Sequence, residues 1–385
     1  MFLLKLLFRN TLRHKIRTTL TIIAIAIAIL SFGMLRTVID AWYAGVEAAS
    51  ANRLVTRNAI SLIFYLPISY KEKIKSVPGV SLVSYGNWFG GIYIDEKNFF
   101  PNFAVEPKGY LELYPELVLS DKEKKDFLMD RKGSIAGAKI ANRFGWKVGD
   151  TIVLKGTIFP GKWDFVLRGI YKGKDKNTDE SVFMFHWDYL NEVVKKTMPT
   201  FADHTGYFVI GIKDPTRAGE ISRAIDLTFK NSLAETLTET EKAFNLSFVA
   251  MTEAIVIAIK IVSYVVIFII MAVSANTMAM TVRERTSEYA VFKTLGFRDY
   301  HIAGMIFGES IMISAIGCFL GIIATFPSAD AFSSALSNYF PVFNISEETL
   351  IMNVVISVIV GLAAGIFPTL RAMNTNIADG LRRLV

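Results

Sequence analysis

Four stretches of this 385-residue chain are apolar and long enough to cross a membrane as helices. They cover residues 18–35, 261–281, 303–327 and 349–370, and Glu309 is the one charged residue within them. Because an α-helix rises 1.5 Å per residue, about 20 residues cross the hydrocarbon layer of a bilayer. The sequence therefore predicts four transmembrane helices.

Basic residues are concentrated beside these stretches. The net charge is +7, and residues 1–17, 283–300 and 371–385 carry +5, +1 and +2, which leaves the rest of the chain close to neutral. An excess of Lys and Arg marks segments on the cytoplasmic side of a membrane. We therefore predict that both termini and the segment between the second and third helices are cytoplasmic. No basic surface remains for nucleic acid, which is not expected as a partner.

The expected fold class is a membrane α-helical protein with four transmembrane helices, cytoplasmic N and C termini, and a large α+β extracytoplasmic domain inserted between helices 1 and 2. Helical periodicity that runs from about residue 235 into the second apolar stretch predicts one long helix, whose outer part forms a stalk. The predicted parts, in chain order, are a cytoplasmic interfacial amphipathic helix at 1–17, transmembrane helix 1 at 18–39, the extracytoplasmic α+β domain with two subdomains at 40–235, the stalk and transmembrane helix 2 at 236–282, a cytoplasmic coupling helix at 283–300, transmembrane helix 3 at 301–328, an extracytoplasmic loop at 329–348, transmembrane helix 4 at 349–370, and a cytoplasmic tail at 371–385.

Strand-like and helix-like segments alternate in the large insertion, and Gly and Pro separate them. Cys318, the only cysteine, lies in the third apolar stretch, so no disulfide can hold the insertion together and an apolar core is expected. The predicted strands are 58–66, 81–95, 151–155, 164–171, 181–185 and 207–212, and the predicted helices are 70–76, 138–144 and 215–233.

The segment 282–296 is a short amphipathic helix that carries both signs of charge between two membrane-length stretches. It should lie at a membrane surface, where a soluble partner can reach it. A contact surface for such a partner and a simple connecting loop are the two interpretations. Glu309 follows in the third apolar stretch, where either a basic partner such as Arg283 or Arg285 or an interfacial position would offset its burial.

Sequence motifs for catalysis are missing. The chain contains no G-x-x-x-x-G-K-[ST] loop, no H-E-x-x-H and no G-x-S-x-G, and its four histidines are scattered. We therefore predict no catalytic residue, no metal site and no cofactor bound by this chain. Two G-x-x-x-G motifs, which allow close helix packing within or between subunits, are present. They consist of Gly317 with Gly321, and Gly361 with Gly365.

Taken together, these features resemble the FtsX-like permease family of ABC transporters, in particular its MacB and LolC/LolE branches without a fused ATPase. The family's turn after the second span reads roughly V-x-E-R-x-x-E-I-G-x-x-K-A-L-G. The matching residues are Val282, Glu284, Arg285, Glu288, Lys293, Leu295 and Gly296, while Tyr289 and Ala290 replace the usual Ile-Gly. The stretch from Gly137 to Asp150 and the end from Gly365 to Arg382 are similar to further family motifs, although Thr369 and Ile377 depart from the usual Ala and Pro.

The resemblance implies that the turn is a coupling helix that docks on a separate ABC ATPase subunit, of which two copies are expected, with ATP and Mg on that partner. It also implies a second permease, identical or homologous, motion relayed to a MacB-like periplasmic domain, contact with membrane lipid, and room for a periplasmic adaptor or lipoprotein. The coupling residues expected from the resemblance are Glu284, Arg285, Glu288, Tyr289, Phe292, Lys293, Leu295 and Gly296. Tyr289, Phe292 and Leu295 are expected to supply the apolar contact, and the charged residues are expected to form its rim.

The leading hypothesis is a non-catalytic permease subunit in the cytoplasmic (inner) membrane of a bacterium. It would couple ATP hydrolysis to mechanical motion for the export or extraction of a lipid, lipoprotein or amphipathic substrate. The alternative is an ATP-driven regulator of an extracytoplasmic partner such as a cell-wall hydrolase, with no transported substrate.

Overall fold

The computed structural model describes residues 15–336, 340 and 342–374, without the side chain of Ser334. The predicted interfacial helix at 1–17 and the predicted tail at 371–385 lie mostly outside these residues, so both remain predictions. The chain divides into two compact units, a helical unit within 1–41, 252–336 and 343–385, and an α+β unit within 42–251 and 337–342.

The helices and strands are numbered in chain order. The α-helices are α1 (Lys15–Glu47), α2 (Tyr70–Lys75), α3 (Pro107–Leu113), α4 (Asp121–Met129), α5 (Ala138–Phe144), α6 (Trp187–Thr197), α7 (Ala218–Thr228), α8 (Glu241–Met251), α9 (Glu253–Glu284), α10 (Thr286–Thr294), α11 (Asp299–Ala335) and α12 (Glu347–Met373). The strands are β1 (Arg53–Asn58), β2 (Leu66–Pro67), β3 (Val80–Trp88), β4 (Asn102–Val105), β5 (Leu117–Val118), β6 (Gly133–Gly137), β7 (Thr151–Gly156), β8 (Gly161–Gly173), β9 (Phe183–His186), β10 (His204–Thr205), β11 (Tyr207–Ile212) and β12 (Thr236–Thr240).

Four helices, α1, α9, α11 and α12, are long and apolar enough to cross a membrane, which confirms the predicted number. A helix suits hydrocarbon because it satisfies its backbone hydrogen bonds within one segment. The core of the helical unit is built from branched side chains such as Ile25 on α1, Ile270 on α9, Ile306 on α11 and Val360 on α12. Many other apolar side chains on these helices are exposed, as expected of a surface that contacts lipid.

The α+β unit is built on one ten-stranded sheet in the order β12-β1-β11-β3-β4-β9-β6-β8-β5, with β7 paired to β8. Most neighbours are antiparallel, whereas β4 pairs with β9 and β6 with β8 in parallel. The β4–β9 pairing continues β12-β1-β11-β3-β4 into β9-β6-β8-β5, so that one sheet runs through the unit. Aromatic side chains fill the core in the absence of any disulfide, for instance Phe89, whose ring centroid lies 5.0 Å from that of Phe185 and 5.2 Å from that of Trp163.

The prediction of one continuous helix from residue 235 into the second span is wrong. Residues Thr236–Thr240 form an edge strand that pairs with β1, where the hydroxyls of Thr238 and Thr56 lie 2.8 Å apart. Thr occupies every second position of this strand, which gives the two-residue period of a sheet and suits a β-branched side chain. The chain then forms α8 and leaves helical geometry at Thr252, with φ −114° and ψ 12°, before α9 begins.

Candidate functional site

The short helix α10 connects α9 to α11. Arg285 alone separates α9 from α10, and Gly296 ends α10 with a φ of +89°. The amide of Gly296 donates to the carbonyl of Lys293 at 3.1 Å, and that of Phe297 donates to the carbonyl of Phe292 at 3.0 Å. This pair of hydrogen bonds is a Schellman motif, which needs a residue in the left-handed region and therefore favours glycine. The Leu295-Gly296 sequence thus sets where the helix stops.

A buried ion pair holds the start of α10 against α11. Arg285 Nη1 lies 2.9 Å from Oε2 of Glu309, and Arg285 Nε lies 3.0 Å from Oε2 of Glu288. Burial alone would lower the pKa of Arg285, but Tyr289, Glu309 and Glu288 favour its charged form and raise that pKa overall. Of the two partners considered for Glu309, the structure selects Arg285.

Tyr289 faces the protein's own helices. Its side chain is 2% exposed and belongs to the core of the helical unit, while Phe292 packs against the same core. Burial raises the pKa of Tyr289 to about 12, so the phenol is neutral at physiological pH. Tyr289, which was predicted to supply part of the apolar contact with the partner, is therefore buried within the helical unit, whereas Phe292 is half-buried.

Two further charged residues of the segment are tied to neighbouring helices. Lys293 Nζ donates to the carbonyl of Met373 at 2.6 Å and lies 3.0 Å from Oδ1 of Asp299. A positive charge at this position is stabilising, because the C-terminal end of α12 carries a partial negative charge. Glu284 receives two hydrogen bonds from the guanidinium of Arg17 on α1, at 2.6 and 2.8 Å. The short helix is consequently linked to α11 and α12, while the end of α9 just before it is linked to α1.

The exposed side of this connection carries apolar residues. Leu295 is 70% exposed, and Val291, Phe297 and Tyr300 are exposed with it. Val291 lies on α10, Leu295 and Phe297 in the turn after it and Tyr300 at the start of α11, and we call these four residues together the apolar surface of α10. Only Leu295 was among the residues predicted from the sequence. The four-residue spacing of Val291 and Leu295 could have revealed a second helical stripe, but periodicity alone does not tell which stripe faces the neighbouring helices.

The four glycines predicted to allow close packing lie at contacts between helices of this chain. A Cβ on Gly317 would lie 2.6 Å from Ile25, and one on Gly321 would lie 2.7 Å from the carbonyl oxygen of Ala26 on α1. A Cβ on Gly361 would lie 3.1 Å from the Ser314 hydroxyl, and one on Gly365 would lie 2.7 Å from the ring of Phe307. These last two contacts are with α11. Of the two arrangements considered, the structure places these glycines at contacts within the subunit.

Among the described residues, no group of three or more His, Cys, Asp or Glu side chains could hold a metal ion.

Comparison with known proteins identifies the helical part of the chain. Residues 260–377, which include α10 and the four glycines, match the family model described as FtsX-like permease C-terminal. An uncharacterized ABC transporter permease of Methanocaldococcus jannaschii is 25% identical over 97% of this chain and 96% of its own length. The macrolide export ATP-binding/permease protein MacB of Campylobacter jejuni is 24% identical over 56% of this chain, and the match covers 33% of the length of that protein.

A solved structure, the extracellular domain of the noncanonic ABC-type transporter YknZ from Gram-positive bacteria, aligns with 49% of this chain and 100% of its own length. That alignment has 12% identity and a TM-score of 0.35. The family and sequence matches confirm the resemblance on which the coupling residues were predicted.

Proposed function

The chain belongs to the FtsX-like permease family of ABC transporters, and on that premise we propose that α10 is the contact through which a separate ATPase subunit drives this permease subunit. ATP and Mg are bound and ATP is hydrolysed on that partner, of which two copies serve a pair of permeases. The second permease is either identical or homologous.

The exposed apolar surface of α10 is the observation that supports this proposal. Val291, Leu295, Phe297 and Tyr300 place branched and aromatic side chains on the outside of a short connection between two membrane-length helices. A cluster of this kind forms the centre of a typical protein–protein contact, and nearby charges form its rim. Exposed Arg283 and Arg298 flank it, so the complementary face of the partner is expected to carry acidic residues.

The contacts beneath this surface make α10 suitable for passing on motion. A force applied to Leu295 reaches α11 through the Arg285–Glu309 pair and α12 through the Lys293 contact with Met373. Both contacts are direct and polar, and Arg285 and Glu309 are buried, so α10 moves together with the helices to which it is bound. Displacement of α10 is thus converted into displacement of the spans and, along the chain, of the α+β unit.

We infer further that α10 lies on the cytoplasmic side, that the α+β unit lies outside the cytoplasmic membrane of a bacterium, and that the transported molecule is amphipathic. The charge distribution beside the spans supports the orientation. The name of the Campylobacter jejuni relative says that it exports macrolides, which favours export over the regulation of a wall hydrolase for this chain. A periplasmic adaptor or lipoprotein would bind the α+β unit.

The test is co-purification of the full chain with a candidate ABC ATPase subunit from the same organism, followed by ATPase assays in nanodiscs. Leu295→Asp should abolish co-purification and permease-dependent ATP turnover, because a carboxylate at the centre of an apolar contact is left without a partner. Leu233→Asp, which changes an exposed leucine of the α+β unit, is the control and should leave both intact. Unchanged association in Leu295→Asp would refute the proposed role of α10.

Reconstitution in vesicles separates export from regulation. Turnover that moves or extracts a lipid or amphipathic molecule supports export. Sustained ATPase activity with no movement of any such molecule, together with activation of a wall hydrolase, would support the regulator.

A further inference from the structure

The α+β unit contains an apolar cavity of about 860 Å³. It lies between the sheet and α8, and the residue 59–65 loop contributes to one side. Its wall includes Val55 and Val209 from the sheet, Phe244 and Phe248 from α8, and Leu62 from the loop. Ligand cavities in proteins commonly have a volume of about 300–1,000 Å³ and are mostly apolar, so this one is large enough for a small molecule.

A second cavity, of about 650 Å³, lies beside the first in the same unit. It differs in character because its wall contains several charged groups, among them Glu112, Asp175, Asp179 and Lys174. The two cavities share five wall residues. These are Phe103, Tyr110, Tyr114, Glu241 and Asn245.

The shared wall is polar but holds no excess positive charge. Arg53 also lines the polar cavity, with Nε 2.7 Å from Oε2 of Glu241, Nη2 2.6 Å from Oε1 of Glu116, and its guanidinium 4.2 Å from the ring centroid of Tyr114. Two carboxylates therefore face one guanidinium. Since Arg53 and Glu241 are both buried, this excess of one negative charge is poorly screened by water.

The phenols beside this group are neutral hydrogen-bonding groups. Burial raises the pKa of Tyr110 to about 12, and it raises the pKa values of Tyr114 and Tyr207 well above the usual value of 10. The apolar cavity thus ends at neutral phenols and at Glu241. In the polar cavity, Glu112 and Asp175 outnumber Lys174 and add to the negative potential, while burial raises the pKa of Asp179.

We propose that the two cavities form one binding site for an amphiphile with an apolar body and a positively charged end, in which the body fills the apolar cavity and the charged end lies at the shared wall beside Glu241. This assignment rests on the proposed function in one respect, because it takes the bound amphiphile to be the transported substrate class. The apolar wall selects the body, and the excess of carboxylates selects the sign of the charge. An amphiphile with a negatively charged end is disfavoured by the same carboxylates.

The experiment is photolabelling of the full chain in phosphatidylcholine nanodiscs. Three probes with the same twelve-carbon chain and a diazirine near its end are compared, one with an amine, one with an alcohol and one with a carboxylate head. Mass spectrometry locates the label. We expect saturable labelling of peptides that contain Phe103, Tyr207 or Phe244, strongest for the amine and weakest for the carboxylate.

Variants test the two parts of the site separately. Leu62→Trp fills the apolar cavity and should reduce saturable labelling by about tenfold or more. Ile60→Trp, in the same loop, is the control because Ile60 is 81% exposed and does not line the cavity. Glu241→Gln should reduce the preference for the amine over the alcohol. Because this change disturbs a buried ion pair, the double variant Glu112→Gln/Asp175→Asn repeats the test at exposed positions.

Equal labelling by all three probes, labelling confined to the four long helices, or labelling that Leu62→Trp leaves unchanged would each overturn the inference. Failure of this inference can be distinguished from failure of the proposed function. Absence of saturable labelling in a chain that still binds its ATPase overturns this inference alone. Saturable labelling in a wild-type chain that binds no ATPase overturns the proposed function alone.

Discussion

Arg285 and Glu309 are 24 positions apart in the sequence, yet they form a buried ion pair with 2.9 Å between Nη1 and Oε2. Their side chains are 6% and 7% exposed. Arg285 is the residue at which the chain passes from α9 into α10, whereas Glu309 lies well inside α11. The pair therefore joins the short connecting helix to the interior of the next long helix.

Removing one partner of this pair should be costly. Arg285→Met leaves the Glu309 carboxylate buried without its cation and should lower the free energy of unfolding by about 3–5 kcal/mol. Glu309→Gln should cost less, because Glu288 still faces Arg285 at 3.0 Å. The double variant Arg285→Met/Glu309→Met should approach the wild-type stability. Thermal unfolding in detergent measures all three, and a double variant less stable than Arg285→Met would contradict this account.

Gly321 and Gly304 on α11 provide a matched comparison. Gly321→Ala places a Cβ 2.7 Å from the backbone oxygen of Ala26, which cannot rotate away, so α1 and α11 must separate. We expect a loss of about 1–3 kcal/mol. Gly304 has no atom within 4 Å of the new Cβ, and Gly304→Ala should be neutral or stabilising by up to about 1 kcal/mol through helix propensity. The thermal unfolding midpoints of the two variants should shift in opposite directions or by clearly different amounts. Equal midpoints would refute the close contact between Gly321 and Ala26.

His186 should make the α+β unit sensitive to mild acid. Its Nε2 lies 2.7 Å from the carbonyl oxygen of Phe127 inside the unit. Burial lowers the pKa of His186 below 6.5, and the nearby Arg131 adds to this, although the Phe127 carbonyl, Asp188 and Asp130 oppose it. Between the folded and the unfolded pKa the unfolded chain binds more protons, so stability falls as the pH drops below about 6.5.

The measurement is the unfolding midpoint at pH 7.5 and at pH 5 for wild type and for His186→Gln. On acidification, the unfolding midpoint of the wild type should fall further than that of the variant. Parallel losses in the two proteins would show that His186 does not contribute to the acid response.

Asn353 on α12 is a buried polar residue whose Oδ1 and Nδ2 have no hydrogen-bond partner among the described residues. Burying an unpaired amide is unfavourable, so Asn353→Leu, which is similar in shape, should stabilise the chain by about 1–3 kcal/mol. Asn191→Leu is the contrasting control. Asn191 Nδ2 donates to Oδ1 of Asp203, and the backbone amide of Asp203 donates to Oδ1 of Asn191, both at 2.8 Å, so the loss of these hydrogen bonds should lower the free energy of unfolding. Destabilisation by Asn353→Leu in thermal unfolding would mean that its amide has a partner in the assembled protein.

Local signals predicted much of the fold. The four long helices follow from uninterrupted apolar stretches, and strands such as β7 and β11 follow from β-branched and aromatic residues bounded by turns. Where two signals competed, the prediction was wrong. Thr236–Thr240 adjoins a strongly helical segment, and only its pairing with β1 shows that it is a strand. Helices α3, α4 and α6 were not predicted.

The coupling segment shows the same division. Its helical character, the end of α10 at Gly296 and its place between two spans can be read from residues close together in the chain, because propensity, capping and span length are local properties. The direction in which each side chain faces depends on partners far away in sequence.

The sequence by itself thus determined the four membrane-length helices, the alternating α+β insertion and a short charged helix between two spans, since each follows from composition and spacing over a few turns. The tertiary structure alone decided that Tyr289 packs inward while Val291, Leu295, Phe297 and Tyr300 form the exposed surface, that Arg285 is the partner of Glu309, and that the α+β unit holds two adjoining cavities. The reason is physical. This short segment carries two apolar stripes, one with Tyr289 and Phe292 and one with Val291 and Leu295, and only packing against distant helices removes one of them from solvent.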